Sequence, residues 1–458
     1  MADARSQPSP GPAIAGTAVT YAVMMGCGLI TGLIASRSLG PSGRGELAAM
    51  IVWGSTLVYL AALGVPEAVA YYAASDADAE PGPVRGRVWA TGQLAAVLLG
   101  VLATLAGWWL IPVIFGADRG AQTSAFRWFI VWFTVPSLGA LCAVAWLRGA
   151  GRVRAFNVGR ATVNGVNAAG VILLLAMGNH SVRAFAGAAL VSAFAAWGVA
   201  AMLGPLRPAL PAGASSLLAR RMLHYGVRVQ FGSWANAANV RLDQLLLSVL
   251  APAASLGIYV VGVNYATLLL SIPFSAVSVM LPDVVRHHRS GEERVCLEMW
   301  YRRVLWCTVL AGAVLAPLAV VVIPFAFGTD FRGAIPIAML LVPATALLGM
   351  NGVMSTAFQG IGRPEVGSKA EVVGLVATIG ALGALLPHYG IYGAAVASAL
   401  AYGSSHLYLM RKSVIIFGVH PKSLLLPTSD DVAALRHAVV AVGYRLTSGV
   451  SKSVRTVH

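Results

Sequence analysis

The chain has 458 residues, 58% of them hydrophobic and only 11% charged, with a mean hydropathy of +0.76. A typical soluble domain carries about 25% charge, so soluble globular and disordered proteins are both excluded. The formal net charge of +15 is mostly the charge of basic loops flanking membrane spans, and no nucleic-acid partner is expected.

Residues 1–12 are polar and Pro-rich, and the apolar run behind them is too long for a cleavable leader, so the first span is expected to stay as a signal-anchor. Apolar runs of about 20 residues, enough for a bilayer core of about 30 Å, recur to residue 410. They predict about twelve spans, near 13–36, 47–73, 88–115, 125–147, 155–178, 183–204, 225–250, 255–281, 303–326, 334–358, 367–387 and 391–410. The first carries Thr17, Thr20, Tyr21 and Thr31 on one side and closes on Arg37-Ser38-Leu39-Gly40-Pro41, where glycine permits a tight turn and proline stops the helix. In the second, Gly64-Val65-Pro66 loosens the helix just before Glu67. The links at 74–86 and 205–224 read as loops, the latter joining two halves of the chain.

The fifth span places Asn157, Arg160, Asn164 and Asn167 within about 80° of one another on the helix, opposite Val, Ala, Leu and Ile. A charge in a spanning helix costs about 2.5–3.5 kcal/mol and so faces a cavity or a partner. The seventh span repeats the pattern with Gln230, Ser233, Arg241, Gln244 and Ser248, and carries Asn236, Asn239 and Asp243 beside them. Arg228 lies at that helix's end, within snorkelling reach of water. The tenth adds Asn351, Ser355 and Gln359. The short polar residues fit either interhelical hydrogen bonding or a wet chamber. Glu67, Asp243 and Glu371 fit either structural partners of the arginines or ion-coupling sites. Beyond residue 410, Val432, Leu435, Val439, Val442 and Leu446 form an apolar stripe, expected as a basic amphipathic helix on the membrane surface. Cys27, Cys142, Cys296 and Cys307 show no metal-ligand spacing, and neither a metal nor a cofactor is expected.

The chain repeats itself. Leu39-Gly40-Pro41 returns as Leu250-Ala251-Pro252, Ile111-Pro112-Val113-Ile114-Phe115-Gly116 as Ile323-Pro324-Phe325-Ala326-Phe327-Gly328, and Gly149-Ala150-Gly151-Arg152 as Gly360-Ile361-Gly362-Arg363. Gly187-Ala188-Ala189-Leu190 returns as Gly393-Ala394-Ala395-Val396, so two homologous halves are predicted. Arg and Lys concentrate in alternate loops, which predicts both termini inside and a parallel repeat with its pseudo-two-fold axis along the membrane normal. The expected organisation is a segment 1–12, a six-helix bundle 13–204, a linker 205–224, a second bundle 225–410 and a tail 411–458. At the repeat position of Arg160 stands Glu371, which predicts an unevenly charged cavity wall.

Arg37-Ser38-Leu39-Gly40-Pro41-Ser42-Gly43-Arg44-Gly45-Glu46-Leu47-Ala48 resembles the first-loop signature of polysaccharide repeat-unit flippases, in the multidrug/oligosaccharidyl-lipid/polysaccharide exporter superfamily. Leu63-Gly64-Val65-Pro66, Arg241-Leu242-Asp243-Gln244, Leu256-Gly257-Ile258-Tyr259, Gln359-Gly360-Ile361-Gly362-Arg363-Pro364 and Tyr389-Gly390-Ile391-Tyr392-Gly393-Ala394-Ala395 are similar to later family segments. The resemblance implies an all-α, MATE-like transporter of two six-helix bundles with alternating access, in a bacterial cytoplasmic membrane. Its substrate would be a polyprenyl-pyrophosphate-linked glycan for cell-surface polysaccharide, with membrane lipids and polysaccharide-assembly proteins as further partners. Arg241, Arg160 and Arg37 would meet the pyrophosphate, because a guanidinium gives paired hydrogen bonds to phosphate and keeps its charge. The alternatives are a cation-coupled small-molecule antiporter or a lipid II flippase. An enzyme is not expected, since the outer loops are short and hold no nucleophile, carboxylate pair or nucleotide-binding loop.

Overall fold

A computed structural model describes residues 10–75, 83–115, 120–205, 215–429 and 431. No strand occurs among the described residues. Helices alone satisfy every backbone group without water, which is what a hydrocarbon solvent demands of an open chain. The side chains agree: Val113, Met202 and Phe325 are 80%, 83% and 79% exposed, a surface suited to acyl chains and not to water.

Helix α1 (Pro10–Ala61) contains the first span and most of the second, bent at Gly40, whose φ of 64° and ψ of −178° interrupt the helix before Pro41. A second break at Leu63 and Gly64, both at positive φ, separates it from α2 (Val65–Ser75). Helices α3 (Pro83–Phe115), α4 (Gly120–Gly149), α5 (Val153–Ala176) and α6 (Val182–Met202) follow. Helix α7 (Ser216–Leu250) begins well inside the segment 205–224 expected as a linker; Ser215 caps it by accepting from the Leu218 amide. Helix α8 (Ala253–Ala266) passes through a 3-10 turn into α9 (Ser271–Ser290). Then come α10 (Glu293–Val322), a π-turn at Ile323–Phe327, α11 (Ala334–Gly360), α12 (Glu365–Phe417) and short α13 (Pro421–Leu425). Helix α12 joins the eleventh and twelfth expected spans and breaks at Gly390, with φ 53° and ψ −130°. The expected surface helix over Val432–Leu446 and residues 1–9 lie outside the described residues.

Nine helices among the described residues are long and apolar enough to cross a membrane. Helix α7 is not one of them, because its stripe of Asn, Arg, Asp and Gln dilutes the apolar content.

The described chain forms two compact units. The first holds residues up to Tyr265 with Val320–Ala338 and Thr378–Ala397. Its core packs Val58, Val69, Trp89, Leu138, Trp146 and Met222, with Trp89 and Trp146 edge-to-face at 5.3 Å. Backbones touch at the turn after Gly40: a Cβ on Gly45 would sit 1.7 Å from the Ala253 carbonyl oxygen, and one on Gly257 2.0 Å from that of Pro41. Small residues let membrane helices approach this closely, and the lipid chains offer no competing hydrophobic gain.

The second unit holds Ala266–Ala319, Met339–Ala377 and the described residues from 398 onward. Its core contains Met280, Leu297, Tyr301, Met354, Phe358 and Leu409. Inside it Asn351 accepts from His406 Nδ1 at 2.8 Å and donates to the Tyr402 carbonyl at 3.1 Å. His406 Nε2 lies 3.0 Å from the Tyr301 hydroxyl, so a neutral imidazole satisfies both partners.

Candidate functional site

The polar stripe of α7 faces α1 within the first unit. Gln230 is buried and donates Nε2 to the Tyr59 carbonyl at 3.3 Å, which Trp234 Nε1 also reaches at 3.2 Å. Two to three turns on, Arg241 donates to Ser55 Oγ and lies with its guanidinium carbon 5.3 Å from the centre of the Tyr59 ring. Among the described residues no carboxylate pairs with Arg241. A hydroxyl and an aromatic face hold the cation in place without neutralising it, which leaves its charge available to an anion. Gln244 and Asp243 follow: the Asp243 carboxylate is buried and accepts the Tyr259 hydroxyl of α8 and the Gln244 amide. Asp243 thus bonds a neighbouring helix. Asn239, one turn back, accepts Thr378 Oγ1 at 2.6 Å.

The α5 stripe faces α1 as well. Asn157 donates to Thr17 Oγ1 at 3.2 Å while its Oδ1 is buried without a partner among the described residues. Arg160 lies over the Phe156 ring at 5.2 Å and makes no ion pair among the described residues. Asn164 and Asn167 line a cavity of about 200 Å³ with Thr31, Gly32 and Arg44, and Asn167 Oδ1 is buried and unbonded among the described residues. Arg44 is the residue that sequence reasoning missed. Its position in the glycine-rich turn places it in a loop, yet it is 8% exposed, with Nε unpartnered among the described residues, one turn into the second half of α1. The only available signal was spacing: Arg44, Leu47 and Ile51 share one face of the helix that Pro41 restarts.

The other expected site residues scatter. Arg37 is exposed and donates to the Phe325 carbonyl. Glu67 lies in the first turn of α2 with Oε2 buried and unpartnered among the described residues. Glu371 belongs to the second unit. Ser233 falls where side chains are not described. Asn351 serves the His406 network instead of a chamber wall. A larger hollow of about 410 Å³, bounded by Met50, Trp128, Phe129 and Arg183, shares none of these polar residues.

This architecture, long apolar helices broken at glycines with polar stripes facing α1, is that of a polytopic membrane protein. The family model for polysaccharide biosynthesis proteins matches residues 14–288, more than half of the chain, and the chain belongs to that family. A multidrug resistance MATE family transporter of the MOP superfamily, solved inward-facing, matches with a TM-score of 0.72 at 16% identity, over 86% of this chain and 94% of that one. The lipid II flippase MurJ, in an inward closed conformation, matches with a TM-score of 0.70 at 13% identity, over 86% and 87%. A MOP superfamily transporter from Pyrococcus furiosus, described as having a binding pocket of reverse polarity, gives 0.58 at 17% identity, over 89% and 96%. At these identities the likeness is one of fold. No curated protein sequence matches the chain.

Proposed function

We propose that the chain is a flippase that moves a lipid-linked oligosaccharide across the cytoplasmic membrane for cell-surface polysaccharide. In this reading it crosses the membrane twelve times, α1 and α12 twice each and α7 once, with both termini inside and two six-helix bundles rocking about the site. The observation that carries the proposal is Arg241: a cation within the polar stripe of α7, held by Ser55 and Tyr59 and paired with no described carboxylate. An unpaired charge at membrane depth is costly and is kept where a ligand needs it. A pyrophosphate headgroup answers two guanidiniums, Arg241 and Arg160, with oxygens for both. The amides of Asn164, Asn167 and Gln244 suit sugar hydroxyls, and the polyprenyl tail stays among lipid chains. Membership of a polysaccharide biosynthesis family supports the glycan.

The test is glycan export in a host lacking its own flippase. Arg241→Ala and Arg160→Ala lower export by roughly tenfold each, the worth of a charge-assisted hydrogen bond of about 1.5 kcal/mol, while insertion stays normal. Arg241→Lys restores part of it. Export at the wild-type rate by both alanine variants would overturn the assignment.

One observation favours a second reading, a cation-coupled antiporter: Glu67 holds a buried unpartnered oxygen. That reading requires Glu67→Gln or Asp243→Asn to stop transport while Arg241→Ala is silent.

A further inference from the structure

The turn between α9 and α10 gathers a carboxylate, an imidazole and a thiol. Asp283 and His287 are one turn apart near the end of α9, and Gly291 at φ 75° reverses the chain so that Cys296, on the first turn of α10, returns to them. His287 Nδ1 is 3.5 Å from Asp283 Oδ1, and Cys296 Sγ is 3.7 Å from Asp283 Oδ2. One ligand atom from each of the three lies within 4.8 Å of the others. Cys296 is 1% exposed.

We propose that this cluster binds a divalent transition-metal ion of the zinc class. The donor set of nitrogen, sulfur and oxygen is that of a borderline-soft, four-coordinate cation. Tetrahedral ligands about 2.1–2.3 Å from zinc stand roughly 3.5 Å apart, a contraction that rotamer shifts of three side chains supply. Binding displaces one proton, from the Cys296 thiol. The metal's two positive charges then meet one thiolate, one carboxylate and a neutral imidazole, so the loaded site has zero net charge. One further feature fits a built site. Trp300 Nε1 donates to Asp283 Oδ2 at 2.9 Å and fixes the carboxylate, as outer partners do around metals. A water completes the four-coordinate shell, as it does where the protein gives zinc three ligands. Arg286, 3.7 Å from Asp283, competes with a cation, but its side chain is 77% exposed and moves into water without loss. His287 Nδ1, the ring atom that faces the carboxylate, also lies 2.9 Å from the Asp283 carbonyl, and it gives up that contact to take the ion. The ion would staple α9 to α10 across the turn.

The site is independent of the transported substrate. The full chain, purified in detergent and stripped with chelator, is titrated with Co²⁺ and then Zn²⁺. Expected is one cobalt per chain with a thiolate-to-cobalt charge-transfer band that zinc abolishes. Cys296→Ser removes the band, His287→Ala weakens binding roughly tenfold or more, and Cys307→Ser leaves both intact. The His287 variant keeps the test open if Cys296→Ser fails to fold. No stoichiometric cobalt in the wild type, a band retained in Cys296→Ser, or unchanged affinity in His287→Ala overturns the proposal.

Discussion

Arg44 shows what a single side chain contributes. Among the described residues no carboxylate pairs with Arg44 and its buried Nε makes no hydrogen bond, so that group has given up hydration for no equivalent attraction. Such a residue lowers stability, and its place on a 200 Å³ cavity with Asn164 and Asn167 gives it work to do there. Replacing it with methionine fills similar volume without the charge. Arg44→Met is therefore expected to raise the thermal midpoint by a few degrees in detergent while lowering glycan export by roughly tenfold. A drop in the midpoint would show that the arginine is structural. Arg241 differs in kind: Ser55 and Tyr59 hold it, so its removal leaves a bare hydroxyl and ring, and stability changes little.

At the scale of elements, two contacts decide what stays joined. The turn after Gly40 meets the start of α8 through Gly45 and Gly257, backbone against backbone. A methyl group there collides with carbonyl oxygens that cannot move aside. Gly257→Ala or Gly45→Ala is expected to destabilise by about 1–3 kcal/mol, read as a lower thermal midpoint. Gly380→Ala, which meets nothing within 4 Å, serves as the neutral comparison.

The second contact clamps the end of the described chain. Asp431, 1% exposed, accepts Arg302 Nε at 2.6 Å and Arg303 Nε at 3.2 Å. Thr428 Oγ1 also donates to it at 2.7 Å. Burial pushes the carboxyl up, but the bonds from Arg302 and Thr428 outweigh it and hold the group at about 2, below its ordinary 3.8. A depressed value means the clamp is fully present above 3.8 and is lost as pH falls through about 2. Trypsin cleavage after exposed Lys422 is thus expected to be independent of pH across the enzyme's working range. Asp431→Asn speeds it roughly tenfold, because two arginines lose their shared anion.

At the scale of the whole molecule, the spanning helices were legible because their cause is local. A run of about 20 apolar residues must become a helix in lipid, whatever its neighbours. The breaks at Gly40, Gly64 and Gly390 were legible for the same reason: a glycine next to proline or between apolar runs marks where the helix bends. The family resemblance read from those turns agrees with the family match over residues 14–288. Helix α7 was legible by its polar stripe, although that stripe makes it too polar to pass as a span by composition.

What the sequence determined by itself was therefore the membrane class, the helices, their bends and the polar faces of α5 and α7. Those follow from periodicity along one helix. The tertiary structure alone decided which polar groups meet. It buried Arg44 beside Asn164, spent Asn351 on His406, gave Asp243 to Tyr259, and folded Cys296 back onto Asp283 and His287. Each of these depends on the angle at which two helices pack. That angle is set by small residues and backbone contacts far along the chain, where periodicity within one helix carries no information.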